Sequence, residues 1–410
     1  MRPTTPPLTD NPVARLDDDE YGFRPYVEVL ASTVAAAAPL PLTVGIFGPW
    51  GSGKSSFLRM WQDHLGPDTR SVWINPWKYA QKHEVWSAVI TSVLAEIQRN
   101  ERTRAKALRL ARSIAWLTVR GTLGQVGAMA TGGLLGKETT ESALDQLAES
   151  DAEFHRHVNV FEQDFADAVG EFVGDGGRLV VFIDDLDRCA PEVAVTVLES
   201  LKLFTGDSRC VFVLAMDYDL LSDVAARKFG ARAPVAGAAY LEKIVQLPFF
   251  LPEVNDSALR DSLAGHVRPE LADDDPFWWL VRVGLGASPR KAKRFVSVLN
   301  LTASVLERIG DRPLDREGLL RLAELLILRS EHRGFYTRLV DEPDLWERLK
   351  AVAWGRVQPD PSLGGLEQDQ ALMRLLALGA DTDLPDFSTA PGPVQVTRMV
   401  ATVRTTTPGS

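Results

Sequence analysis

Several short apolar runs punctuate this chain, and each ends in a polar turn. They are Leu42–Phe47 (LTVGIF), residues 179–183 within RLVVFIDDLDR (178–188), and the start of CVFVLAMDYD (210–219). Short runs almost free of polar residues are the pattern of parallel strands buried on both faces. SVWINPW, at 71–77, reads as another strand closed by an Asn-Pro break. Elsewhere the apolar spacing is helical. Tyr26, Val27, Val29, Leu30 and Val34 predict a helix before the first strand, and Phe57, Leu58, Trp61 and Leu65 predict one after it. Val85, Trp86, Val89, Ile90, Val93, Leu94 and Ile97 form a further helical face. Beyond Leu251-Pro252 the pattern stays helical to about residue 378 and is densest from Leu319 to Leu328.

The fold class expected is α/β, a parallel sheet flanked by helices. An extended segment at 1–20 would lead into an α/β core over 21–252, interrupted by a helical insertion at about 84–174. An all-helical module would follow at 253–378, and a loosely ending Thr/Pro-rich tail at 379–410.

Composition narrows the class. A chain of 410 residues, 45% hydrophobic and 24% charged, has the makings of two ordinary globular modules. Its formal charge of −10 argues against a dedicated nucleic-acid binder. Two cysteines, Cys189 and Cys210, make neither a disulfide framework nor a zinc site, which points to a reducing cytoplasmic interior. The opening MRPTTPPLTDNP lacks an apolar signal core, so export is not expected.

The turn after the first strand carries the clearest chemistry. GPWGSGKSS, residues 48–56, fits G-x-x-x-x-G-K-[ST] through Gly48, Gly53, Lys54 and Ser55. Strand, glycine-rich loop and helix in that order turn backbone N–H groups toward a polyphosphate. Gly48, Gly51 and Gly53 allow close backbone approach, and Pro49, Trp50, Ser52 and Ser56 complete the cradle. Lys54 would neutralise the β- and γ-phosphates, and the Ser55 hydroxyl would ligate Mg²⁺.

A second half-site follows at VVFIDDLDR. Asp184 stands at the strand end, where a carboxylate is needed for the magnesium shell. Asp185 or Asp187 would orient and deprotonate the attacking water. The plainer role for such acids is to cap a helix starting near Pro191, but three acids in four residues exceed what a cap needs. From Lys54 to Asp184 is 130 residues, so the core carries an insertion. The strand ending at Asp217 suggests that an extra strand separates the two half-sites, as in ATPases with a water-activating acid. No Asn in the chain is followed by Lys, so a guanine-reading N-K-x-D is absent and ATP is the expected nucleotide. Arg290, in Ser288-Pro289-Arg290-Lys291, could reach back to the γ-phosphate, and Arg227 could complete a neighbouring subunit's site as an arginine finger. Surface salt bridges are the plainer role for both.

Arg99, Arg102, Arg104, Lys106, Arg109, Arg112 and Arg120 face a single acid, Glu101, and the stretch 121–136 has no charge. The plain reading is a solvated helix and a flexible loop. The other is a basic amphipathic helix on an anionic membrane, since the uncharged stretch is too short to span one.

Taken together, DNPVARLDDDEYGF, GPWGSGKSS, INPWKY, VVFIDDLDRC, YLEKIVQLPFFLP and SPRKAKRFVSVLN resemble the KAP family of P-loop NTPases, in the class of AAA-like and signal-transducing ATPases. These pieces keep the family's order and span residues 10–301. The resemblance implies an ATP-binding α/β core, an all-helical C-terminal module, and a role in signalling or in defence against phage and other mobile elements. Many members carry paired transmembrane helices where this chain has residues 99–136, which lack two convincing spans. The expected activity is slow ATP hydrolysis with Mg²⁺, driving a regulatory or assembly switch. The expected partners are further copies of the chain in the ATP state and a separate effector or signalling protein. The expected location is the cytoplasm, with at most peripheral attachment to the inner face of the membrane. Alternatives are a peripheral-membrane scaffold with structural nucleotide, a nucleic-acid-stimulated motor, and a small-molecule kinase.

Overall fold

The computed structural model describes residues 6–67, 69–78, 92–97, 110, 160–201, 208–228, 235–380 and 387–407. The apolar runs form strands β1 (Leu42–Phe47), β2 (Thr69–Ile74), β3 (Arg178–Ile183) and β4 (Cys210–Met216), joined by β5 (Leu247–Phe250). They make one parallel sheet in the order β2-β3-β4-β1-β5. The extra strand β4 therefore lies between β1 and β3, as the sequence suggests.

Both faces of the sheet are covered, which is why its central strands need no polar alternation. Side chains alternate along each strand. Val180 and Phe182 of β3 face α1 (Arg24–Ala36) and α2 (Lys54–His64), where Val27, Leu30, Phe57 and Trp61 meet them. Leu179, Val181 and Ile183 face the other way, toward Phe161 and Phe165 of α3 (160–173) and Leu198 of α4 (Pro191–Ser200). Helices α5 (Tyr218–Lys228) and α6 (Val235–Glu242) connect β4 to β5.

β5 is a strand that the apolar pattern does not announce. Its four residues alternate half-buried and exposed, and Pro248 has no N–H to donate, which suits an edge position.

After β5 the described chain is helical: α7 (Asp256–Ala264), α8 (Asp275–Leu285), α9 (Pro289–Gly310), α10 (Arg316–Glu331), α11 (Arg333–Asp341), α12 (Leu345–Ala353), α13 (Gln370–Leu376) and α14 (Pro393–Thr406). The apolar core on the α1/α2 side of the sheet runs without a break into these helices. α10 is buried almost all round, from Leu319 to Leu328. The reading of residues 379–410 as a loosely ending tail is corrected by α14. Pro393 opens that helix at a position where a missing N–H costs nothing, and it buries Val396, Met399, Val400 and Val403. Those four positions recur at helical spacing, and α14 packs against α9. Of the expected insertion, the basic stripe and the uncharged stretch lie outside the described residues, apart from Leu110. No described helix is long and apolar enough to cross a membrane.

Candidate functional site

Ladder bonds on both sides carry β1 into the glycine-rich turn. Gly48 N–H donates to the Met216 carbonyl at 3.3 Å, and Leu251 N–H donates to the Phe47 carbonyl at 2.7 Å. The turn then folds back with Gly51 at φ 85° and Gly53 at φ 103°, dihedrals that L side chains rarely adopt. Space excludes side chains as well. A Cβ on Gly51 would sit 2.8 Å from Ser288 Oγ, and one on Gly53 would sit 2.9 Å from the Phe23 ring. Gly53 is the N-cap of α2, no side chain caps that helix, and its first turn holds no acid. Its opening N–H groups, with the positive end of the helix dipole, are thus available to an anion.

Lys54 is buried, and its ammonium is closed onto the protein's own oxygens. Nζ donates to the carbonyls of Gly48 at 2.8 Å and Pro49 at 3.2 Å, and pairs with Asp187 Oδ2 at 3.0 Å. Ser55 Oγ donates to Asp184 Oδ1 at 3.1 Å. Burial holds the Asp184 carboxyl above its usual range, repulsion from Asp185 adds to this and Asp187 less so, while the Ser55 hydroxyl and the Asp185 N–H oppose it. Asp185 has a left-handed backbone, φ 59°, uncommon for a residue with a side chain. Both of its oxygens are held: Asn75 Nδ2 donates to Oδ2 at 2.8 Å, and Arg188 Nε lies 2.6 Å from Oδ1.

The opposite wall is the start of α9. Ser288 caps it and Pro289 opens it. Arg290 and Arg294 lie over the Trp50 ring, 5.3 and 6.0 Å from its centroid. The turn, the three acids and these cations enclose a cavity of about 430 Å³, within the range that holds small ligands.

These features invite comparison with known proteins. The profile of the KAP family P-loop domain matches residues 23–306. The chain belongs to the KAP family. It is also similar to the phage T7 exclusion protein of Escherichia coli (strain K12), at 24% identity over 288 residues. That match covers 62% of this chain but only 36% of the relative's length.

The KAP-family site fits a magnesium–nucleotide group on two counts. Ser52 Oγ is buried in the turn without a hydrogen-bond partner. A hydroxyl and a carboxylate, Ser55 and Asp184, stand together as hard oxygen donors of the kind Mg²⁺ prefers.

The residues expected from the sequence are not all placed alike. Trp50, Gly51, Gly53, Lys54, Ser55, Ser56, Asp184, Asp185, Asp187 and Arg290 line the cavity. Gly48 and Pro49 instead offer their carbonyls to Lys54. The Ser56 hydroxyl accepts from the Val13 N–H at 3.1 Å. Arg227 falls in the last turn of α5, and its side chain lies outside the described residues. Other lining residues carry no role in the sequence reading: Asp10, Asn75, Arg188, Arg294, and Arg59, whose guanidinium stacks 3.4 Å from the Trp73 centroid. Asn75 did carry a signal, as the polar residue that stops β2 directly before Pro76.

Proposed function

We propose that this KAP-family chain binds ATP with Mg²⁺, hydrolyses it slowly, and uses the difference between the two nucleotide states as a regulatory or assembly switch. One observation carries the reading. The cavity is walled on one side by the glycine-rich turn of the α/β core and on the other by Arg290 of the helical half. A triphosphate long enough to touch both walls would favour one arrangement of them, which a diphosphate would not do.

Lys54 would exchange its carbonyl partners for the β- and γ-phosphate oxygens. Ser55 and Asp184 would hold Mg²⁺, which supplies positive charge where negative charge develops on the phosphates. Asp185 or Asp187 would take the proton of the attacking water. The two acids differ in what constrains them. Asp187 is paired with Lys54, so its state is coupled to phosphate binding. Asp185 is clamped by Asn75 and Arg188, outside that pair.

The similarity to a phage exclusion protein supports defence against phage or other mobile elements as the setting. Assembly of several copies in the ATP state and a separate effector protein belong to this proposal, as does a cytoplasmic location. Isothermal titration and phosphate release test it together. Lys54→Ala should weaken Mg·ATP binding by roughly tenfold or more, the scale of a lost hydrogen bond to a charged group. One of Asp185→Asn and Asp187→Asn, whichever removes the base, should slow turnover by roughly 10² or more. Tight ATP binding by Lys54→Ala would contradict the site.

A further inference from the structure

The leading segment is fastened across the junction between α2 and the helical half. Leu8 N–H donates to Ser297 Oγ of α9 at 3.0 Å. Val13 N–H donates to Ser56 Oγ and Leu16 N–H to Asp63 Oδ2, both on α2, at 3.1 and 3.0 Å. Between these ties Asp10 reaches into the cavity wall. Its Oδ2 accepts from Arg294 Nε at 2.6 Å and lies 3.9 Å from Arg290 Nε. Its Oδ1 is buried and has no hydrogen-bond partner.

That geometry is unusual for a surface ion pair. A carboxylate with one oxygen buried and unpartnered pays desolvation without full return. Its other oxygen pairs with Arg294 through both Nε and Nη2, and backbone bonds on either side fix the segment that carries it. The two guanidiniums that it engages sit over Trp50, inside the glycine-rich turn, and Arg290 lines the cavity. An anion on a short tether therefore stands at the cations where a terminal phosphate would arrive.

We propose that Asp10 is a built-in placeholder for the γ-phosphate and a specificity-determining residue that lowers the preference for triphosphate over diphosphate. The inference rests on the ATP site proposed above. In the nucleotide-free protein the Asp10 carboxylate neutralises Arg290 and Arg294. A γ-phosphate must draw Arg290 away from it, so triphosphate binding carries a cost that diphosphate binding does not. Asp10 touches no reacting atom; it acts through Arg290. The ties at Val13 and Leu16 do not depend on Asp10, so the segment stays docked while its carboxylate yields.

Equilibrium binding of Mg·ATP and Mg·ADP to wild type, Asp10→Asn, Arg290→Ala and the double variant tests this, with thermal melts to establish folding. Asp10→Asn should bind ATP about fivefold or more tighter than wild type and ADP within about twofold. In the Arg290→Ala background the same change should gain clearly less ATP affinity than it does in wild type, because Asp10 and Arg290 belong to one ion-pair network and their effects should not add; an equal gain overturns the proposal. Weaker ATP binding in Asp10→Asn, or equal changes for ATP and ADP, overturns the placeholder and leaves the nucleotide site standing. Failure of folded wild type to bind either nucleotide removes both readings. Should Asp10→Asn melt well below wild type, Asp10→Glu serves as the second variant. Its longer side chain keeps the charge but misplaces it, and its ATP-to-ADP preference should rise above that of wild type; an unchanged preference overturns the proposal.

Discussion

Burial works against the charge on Asp184. A carboxyl whose pKa is higher folded than unfolded is stabilising only when protonated, so its cost is present at neutral pH and fades as the pH falls through the folded value. Asp184→Asn should therefore raise the melting temperature of the nucleotide-free protein at pH 7, with the gain shrinking toward about pH 4. The same variant should lose the Mg²⁺ dependence of nucleotide binding. A lower melting temperature at pH 7 would mean that the carboxylate earns its place through structure rather than through the metal. Lys54, Ser55 and Asp184 are legible in the sequence because each sits in a recognisable local pattern, a glycine-rich turn before a helix or an acid after an apolar strand, even though Ser55 and Asp184 meet across 129 residues. Asn75 and Asp10 have no such pattern around them, and only their contacts across 110 and 284 residues bring them to the site. Without spatial proximity, Asn75 looks like a strand stop and Asp10 like one more polar residue in a Pro/Thr-rich lead.

Element by element, period and length decide what the sequence reveals. β1, β3 and β4 stand out because burial on both faces makes them continuous apolar runs. β5 does not, being four residues at an edge with a proline inside it. α14 has a helical period that its threonines and proline mask, and its place is set by packing on α9. α10 poses the opposite problem, a helix so apolar that its charges end up inside. Lys350 Nζ of α12 pairs with Glu324 Oε1 at 2.5 Å, and Arg321 Nη1 lies 3.6 Å from Glu324 Oε2, all three residues being buried. Burial holds the lysine's pKa below its usual value, with Glu324 opposing. Glu324→Ala should cost about 3–5 kcal/mol by denaturant titration, because it leaves the buried Lys350 without its anion, while Arg321 keeps Glu317 at 3.7 Å. A loss under about 1 kcal/mol would show that water reaches the lysine. Since α9 packs on α10, this cluster supports the helix that presents Arg290 to the cavity.

At the scale of the whole molecule, one continuous core joins the α1/α2 face of the sheet to the C-terminal helices, and the cavity opens where the two meet. A ligand bound at such a seam gains contacts from both sides. Under the proposed switch, nucleotide state would set the relation between the α/β core and the helical half, and through that assembly. The chain matches 36% of the length of the phage exclusion protein, so whatever the rest of that relative does has no counterpart in this comparison. The most direct test is the solution mass by light scattering, with Mg·ADP and with a slowly hydrolysed ATP analogue plus Mg²⁺. The account predicts a larger species with the analogue alone, absent in Lys54→Ala. The same mass in both nucleotide states would contradict the switch.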